Sequence, residues 1–193
     1  MGKPAGAKEN ASKAVYSLAA RRLHWWTVAL LAVQIPVGLF MVRYGPATDF
    51  APPTGALYDG HKILGLAILL LVAARLGHRL ANGALPPEAS LARWQRGASA
   101  FTHWAIYAML FLTPLIGWLA ISYYGPFRPF GLALPRLAAA NSQRATLFFT
   151  FHRLAAYLLI VLIAIHVAAA LAHYFIHKDG VMARMLARAG RRA

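Results

Sequence analysis

Four apolar runs, each about as long as a bilayer is thick, dominate this sequence. They extend over about Leu23–Val42, Leu57–Leu80, Phe101–Tyr124 and Leu147–Ile176. A helix needs about 20 mainly apolar residues to cross hydrocarbon roughly 30 Å thick, and it must satisfy its own backbone hydrogen bonds there. The fourth run exceeds that length and must tilt or extend beyond the hydrocarbon. Gly45-Pro46, Pro52-Pro53, Pro86-Pro87 and Gly125-Pro126, with Pro129 and Pro135, interrupt the chain between the runs. Pro36 and Pro114 fall inside runs, where kinks are expected and tolerated. The expected fold class is all-α, an integral membrane four-helix bundle with membrane lipid around it and no separate soluble domain. No secretory leader is expected, because the first run is too long and no small-residue cleavage site follows it.

Charge points to orientation rather than to a polyanionic partner. With 20 Lys and Arg against 5 Asp and Glu, the net charge is +15. Long uncharged runs and a 60% apolar composition nonetheless exclude a nucleic-acid-binding domain, and the same hydrophobicity excludes disorder. Fourteen of the 20 basic residues fall in the amino-terminal tail, the second connection and the carboxyl-terminal tail, among them Lys3, Lys8, Lys13, Arg188, Arg191 and Arg192. Arg43, Lys62, Arg128, Arg136, Arg144 and Arg153 lie on the other side. Both termini are therefore expected in the cytoplasm, with Trp25, Trp26, Trp94 and Trp104 as an interfacial belt at that face.

The absence of cysteine (0 residues) removes thiolate metal sites, iron–sulfur clusters and covalent haem attachment, so redox or metal chemistry must rest on the 8 histidines. Ionisable groups within a membrane are rare and costly, which makes each a functional candidate. In the fourth run, His152 and His166 are 14 residues apart. That interval falls within roughly 40° of a whole number of helical turns and spans about 21 Å. Both imidazoles thus share one face at two membrane levels. His173 continues the same face, about 10 Å further on. His61 lies near the level of His152, and His24 lies toward that of His166. Two imidazoles on facing helices suit the axial ligation of a non-covalent haem in an apolar bundle core. Pairing His152 with His173 instead would place the two levels about 31 Å apart, one of them among the headgroups. A zinc or di-iron site is disfavoured by inward faces that offer no Asp or Glu, and the acid-free interior argues against a carboxylate-based pump. Which helix supplies each trans partner stays open on spacing alone.

Plainer readings exist for each residue. A lone membrane histidine can hydrogen-bond a neighbouring carbonyl and hold helices together. His103 and His173 are not needed as ligands, and His78 and His177 stand among basic residues at the surface. Gly38, Gly65 and Gly117 suit either a flat macrocycle or close helix packing. Arg75, 14 residues after His61 and on its face, suits either a haem propionate or the anchoring of a helix end.

Several motifs in order resemble bacterial cytochrome b561: Tyr16-Ser17, Leu23-His24-Trp25 and Gly38-Leu39-Phe40-Met41, then His61-Lys62, Leu64-Gly65 and Arg75-Leu76. His103 with Tyr107, Pro114-Leu115-Ile116-Gly117-Trp118, His152, His166 with Ala168-Ala169-Ala170-Leu171, His173, Lys178-Asp179 and Arg184-Met185 continue the likeness. The resemblance covers about Tyr16 to Arg188. It implies a multi-pass protein of the bacterial inner membrane holding two b haems, the outer on His61 and His152 and the inner on His24 and His166. It also implies electron exchange with quinone near His103 and His173. Members known as superoxide oxidases take electrons from superoxide and reduce ubiquinone. At one point the chain departs from the family, with Tyr123-Tyr124 where a basic residue follows the third helix and Arg128 a few positions later. The expected division is a cytoplasmic tail over 1–19, a transmembrane dihaem domain over 20–177 and a basic cytoplasmic tail over 178–193.

A small anion suits the outer face, where Lys62 and Arg153 each follow an expected outer-haem ligand. A basic field of this kind raises anion on-rates by roughly 10–10³. Catalysis would then involve Lys62, Arg128 and Arg153 outside and His103 and His173 inside. The competing explanation of those arginines is contact with anionic lipid or with haem propionates. The competing function is an electron-transfer subunit without catalysis of its own, serving a dehydrogenase or a periplasmic redox protein. The charge asymmetry itself makes a prediction. Alkaline phosphatase fused after Ala193 should be inactive in cells, and the same enzyme inserted after Asp49 should be active. The reverse pattern would invert the bundle.

Overall fold

The computed structural model describes residues 15–88, 90–126 and 128–186. Four helices long and apolar enough to cross a membrane run through it: α1 Leu18–Tyr44, α2 Thr54–Asn82, α3 Arg93–Tyr124 and α4 Ser142–Ala172. The last continues as one wide π turn over His173–His177, and a single-turn α5 follows at Ala183–Leu186. Short connections make consecutive helices antiparallel neighbours, so the bundle has a terminal end, where the described chain starts and stops, and a hairpin end opposite.

Each helix begins before its apolar run, because capping and polar first turns carry it outward. Ser17 Oγ accepts from the Ala20 amide at 3.2 Å, which starts α1 ahead of Arg21 and Arg22. Gln95 Oε1 accepts from the Ala92 amide at 2.8 Å, and α3 starts about two turns before Phe101. Asn141 Oδ1 accepts from the Arg144 amide at 3.0 Å and starts α4. His24 consequently lies inside α1 rather than at its first residue. α1 and α3 run on through Pro36 and Pro114.

Packing is uneven. α1 lies against α2 and α3 against α4, with α2 meeting α3 less extensively, whereas the α4 backbone makes no comparable approach to α1 or α2. The result is two close helix pairs with a seam between them. A cluster of Ile68 and Val72 from α2, Tyr107 and Leu110 from α3 and Leu159 from α4 fills the middle of the bundle. Leu159 is seven residues from both His152 and His166, so this apolar layer lies midway between the two histidine levels.

Lys3, Lys8, Lys13, Arg188, Arg191 and Arg192, on which part of the orientation argument rests, lie outside the described residues. The described part of the carboxyl-terminal segment folds back onto the terminal end. The Tyr16 amide donates to the Arg184 carbonyl at 3.1 Å, and Trp25 Nε1 donates to the Met185 carbonyl at 3.3 Å. Arg184 pairs with Glu88 at 2.7 Å and donates to the Pro86 carbonyl at 2.7 Å, both charged side chains being less than a tenth exposed. Removing one member of a buried pair is far costlier than losing a surface contact. Glu88→Ala should therefore destabilise the protein by about 3 kcal/mol, read by thermal unfolding in detergent. An unchanged transition would show that the pair holds nothing together.

Candidate functional site

The seam is bridged by histidines at two levels. Toward the hairpin end, His61 of α2 faces His152 of α4 with ring centroids 6.0 Å apart and planes at 89°. His152 Nδ1–H donates to the Thr113 carbonyl of α3 at 2.8 Å, which places the proton on Nδ1 and leaves the Nε2 lone pair available. Gln34 Nε2 donates to the His61 carbonyl at 3.0 Å, tying α1 to α2 at this level. Two glycines let the rings come close to the backbone. A Cβ on Gly38 would lie 3.0 Å from the His61 ring, and one on Gly117 would lie 2.9 Å from the His152 ring. Among the described residues, the buried His61 Nδ1, Gln34 Oε1 and Thr113 Oγ1 have no hydrogen-bond partner.

Toward the terminal end, His24 of α1 faces His166 of α4 at 6.4 Å and 77°. His103 of α3 also reaches His166, at 5.2 Å, while its Nδ1–H donates to the Ser99 carbonyl at 2.6 Å. The buried His24 Nδ1 has no partner among the described residues. Arg75 lies over the Tyr107 ring at 5.3 Å, close enough for its charge to act on His24, His103 and His166. Arg79 sits over Trp104 at 5.5 Å and Tyr107 at 5.9 Å. This level is therefore the more basic of the two.

The remaining candidates are distributed differently. His173 Nδ1 meets Asp179 Oδ2 at 2.6 Å and its ring lies 5.2 Å from His177, in the π turn. Lys62 pairs with Asp59 at 2.9 Å, and the other Asp59 oxygen accepts from the Phe130 amide at 2.9 Å, so this lysine's charge is offset within the hairpin cap. Arg128 and Arg153 are exposed. Arg136 is committed to the Ser122 carbonyl at 2.9 Å. Arg144 lies 5.8 Å from the Tyr123 ring, bringing a guanidinium from α4 to the end of α3, where the sequence has Tyr123-Tyr124.

A four-helix membrane bundle with opposed imidazoles inside it is the architecture of a membrane haem protein. The profile described as prokaryotic cytochrome b561 matches residues 15–188, and the chain belongs to that family. It is 29% identical over 173 residues to a Yersinia pestis protein named probable superoxide oxidase CybB, a match covering 89% of this chain and 95% of that one. It is 29% identical over 175 residues to cytochrome b561 homolog 1 of Escherichia coli (strain K12), covering 86% and 93%. With cytochrome b561 homolog 2 of the same strain it shares 27% over 181 residues, covering 89% and 90%.

The family implies b-type haem, and the residues present fit it. An iron held by two imidazole nitrogens at about 2 Å each keeps the ring centroids on the order of 6 Å apart. The facing pairs measure 6.0 and 6.4 Å. Ring nitrogens without protein partners, glycine floors at Gly38 and Gly117 and an adjacent guanidinium at Arg75 complete a setting suited to a flat anionic macrocycle. Sequence reasoning assigned no site role to the Thr113 carbonyl, Tyr107, Arg79 or Asp179, although Tyr107 and Asp179 stood among the family-like motifs. Pro114 marked the Thr113 stretch as irregular, but nothing in the pattern identified a carbonyl as the partner of His152. Gly117→Val should displace the His152 ring from Thr113. The purified variant should then carry clearly less haem per chain than wild type while its far-ultraviolet helix signal is unchanged. Full haem content would show that the close approach at Gly117 has no bearing on the site.

Proposed function

We propose that this chain is a dihaem b-type cytochrome that carries electrons across the membrane to the quinone pool, acting as a superoxide:ubiquinone oxidoreductase. The observation that carries this reading is the pair of facing imidazole contacts at two levels of α4. The name of the Yersinia pestis relative supports the substrate. In this reading His61 and His152 hold one haem and His24 and His166 the other, within residues 20–177 of a protein of the bacterial inner membrane with both termini cytoplasmic. When bound, haem b supplies one-electron transfer.

The chain's own residues then have separate tasks. The Thr113 carbonyl holds the Nδ1 proton of His152, which stops the ring from turning and keeps Nε2 directed at the seam. Arg75 offers its charge to a propionate at the terminal level. Ile68, Val72, Leu110 and Leu159 keep water out of the layer between the levels. At the hairpin face Arg128 and Arg153 attract the anionic substrate, with Lys62 contributing less because Asp59 offsets it. At the terminal end His103 and His173 hydrogen-bond quinone carbonyls and pass protons to them. The Asp179 carboxylate accepts a hydrogen bond from His173 Nδ1–H, and when the ring also carries a proton on Nε2 that second N–H donates to the quinone carbonyl. Overall, two superoxide ions each lose one electron and leave as O₂, and one quinone takes up two electrons and two protons.

The test combines spectroscopy with rapid mixing. Wild type should contain two haems per chain by reduced-minus-oxidised difference spectra, and His152→Ala and His166→Ala should each retain about one. Superoxide mixed with the oxidised protein in a stopped-flow instrument should reduce the haem faster than spontaneous dismutation removes the reagent. Reduction by dithionite but not by superoxide, with a stable redox protein co-purifying, would instead make the chain an electron-transfer subunit. Colourless protein, or both haems surviving both substitutions, would defeat the ligand assignment.

A further inference from the structure

A basic pocket opens at the terminal end beside the imidazole seam, where Trp25 of its lining lies 5.2 Å from the His24 ring. It has a volume of about 660 Å³ and is lined by Leu18, Arg21, Arg22, Trp25, Trp26 and Ala29 of α1, with Met185 and Leu186 of α5 opposite. Arg21 is only 7% exposed, and its Nε–H has no hydrogen-bond partner among the described residues. Arg21 lines the pocket, and a buried guanidinium short of acceptors among the described residues favours an anion beside it. The bound group should therefore be an anion, and a phosphate suits arginine's planar fork.

The surroundings narrow the choice further. Trp25 and Trp26 are 41% and 64% exposed at the start of a membrane-spanning helix, where indoles commonly sit at headgroup depth. Leu18, Ala29 and Leu186 supply an apolar wall beside the two guanidiniums, which an acyl chain can follow and a free ion cannot use. The flanking sequence is itself basic rather than acidic. Residues 1–14 and 187–193 carry Lys3, Lys8, Lys13, Arg188, Arg191 and Arg192 against Glu9. We propose that this pocket binds the phosphate headgroup of an anionic membrane phospholipid. Because Trp25 Nε1 also holds the Met185 carbonyl, the lipid would join α1 to the returning carboxyl-terminal turn.

Native mass spectrometry of the full haem-loaded protein in detergent tests this by titration with phosphatidylglycerol, phosphatidylcholine or inorganic phosphate. Wild type should bind one phosphatidylglycerol at least about tenfold more tightly than phosphatidylcholine. That preference should fall about tenfold in Arg21→Gln and in Arg22→Gln, whose side chain is exposed and whose loss should not disturb folding. It should survive in Arg93→Gln, an exposed arginine at the same end but outside the pocket. Equal affinity for the two lipids, or equal losses in all three variants, would overturn the proposal in favour of diffuse charge attraction. Phosphate binding as tightly as phosphatidylglycerol would overturn the lipid as its source.

Discussion

Imidazole contacts across the seam between the two helix pairs, above and below the apolar cluster, are the interaction on which this structure turns. The α4 backbone packs closely only on α3, yet its histidines reach α2 at one level and α1 at the other. A bundle without that seam would be closed by small residues along every interface, as membrane helices commonly are. Here the small residues serve another purpose. Gly38 and Gly117 stand opposite histidine rings rather than opposite helix backbones, so the close approach they allow is directed at the imidazoles.

Much of the architecture was legible in the amino-acid order because the bilayer imposes a length and a polarity on anything that crosses it. The four spans followed from apolar run length, and the 14-residue interval in α4 followed from helical geometry alone. The helix starts were not legible from hydropathy, since polar first turns such as Arg93–Ser99 extend α3 by capping rather than by apolarity. His173 and Asp179 lie six residues apart, which on a regular helix puts them on different faces. The π turn and the left-handed backbone at Lys178, φ 51°, are what bring them together. The Arg184–Glu88 pair joins positions 96 apart, a contact that no local pattern encodes.

The two ends of the molecule solve the problem of charge in different ways. At the hairpin end Asp59 neutralises Lys62 and also holds the Phe130 amide, so one carboxylate ties α2 to the connection that follows α3. At the terminal end, cations outnumber carboxylates. Arg75 and Arg79 lie over aromatic rings, Arg184 has Glu88, and Arg21 lines an apolar-walled pocket. Basic groups at that end are held by ring faces and carbonyls as much as by acids, which leaves them able to meet anions from outside the chain.

The apolar layer around Leu159 has an electrical consequence. The two imidazole levels it separates lie about 21 Å apart along α4, in hydrocarbon roughly 30 Å thick. A unit charge moved from one level to the other therefore traverses about two thirds of the membrane voltage. That is work of about 1.6 kcal/mol for every 100 mV. Electron flow along this bundle would be sensitive to the energised state of the cell, speeding or slowing with polarity even when donor and acceptor concentrations are fixed.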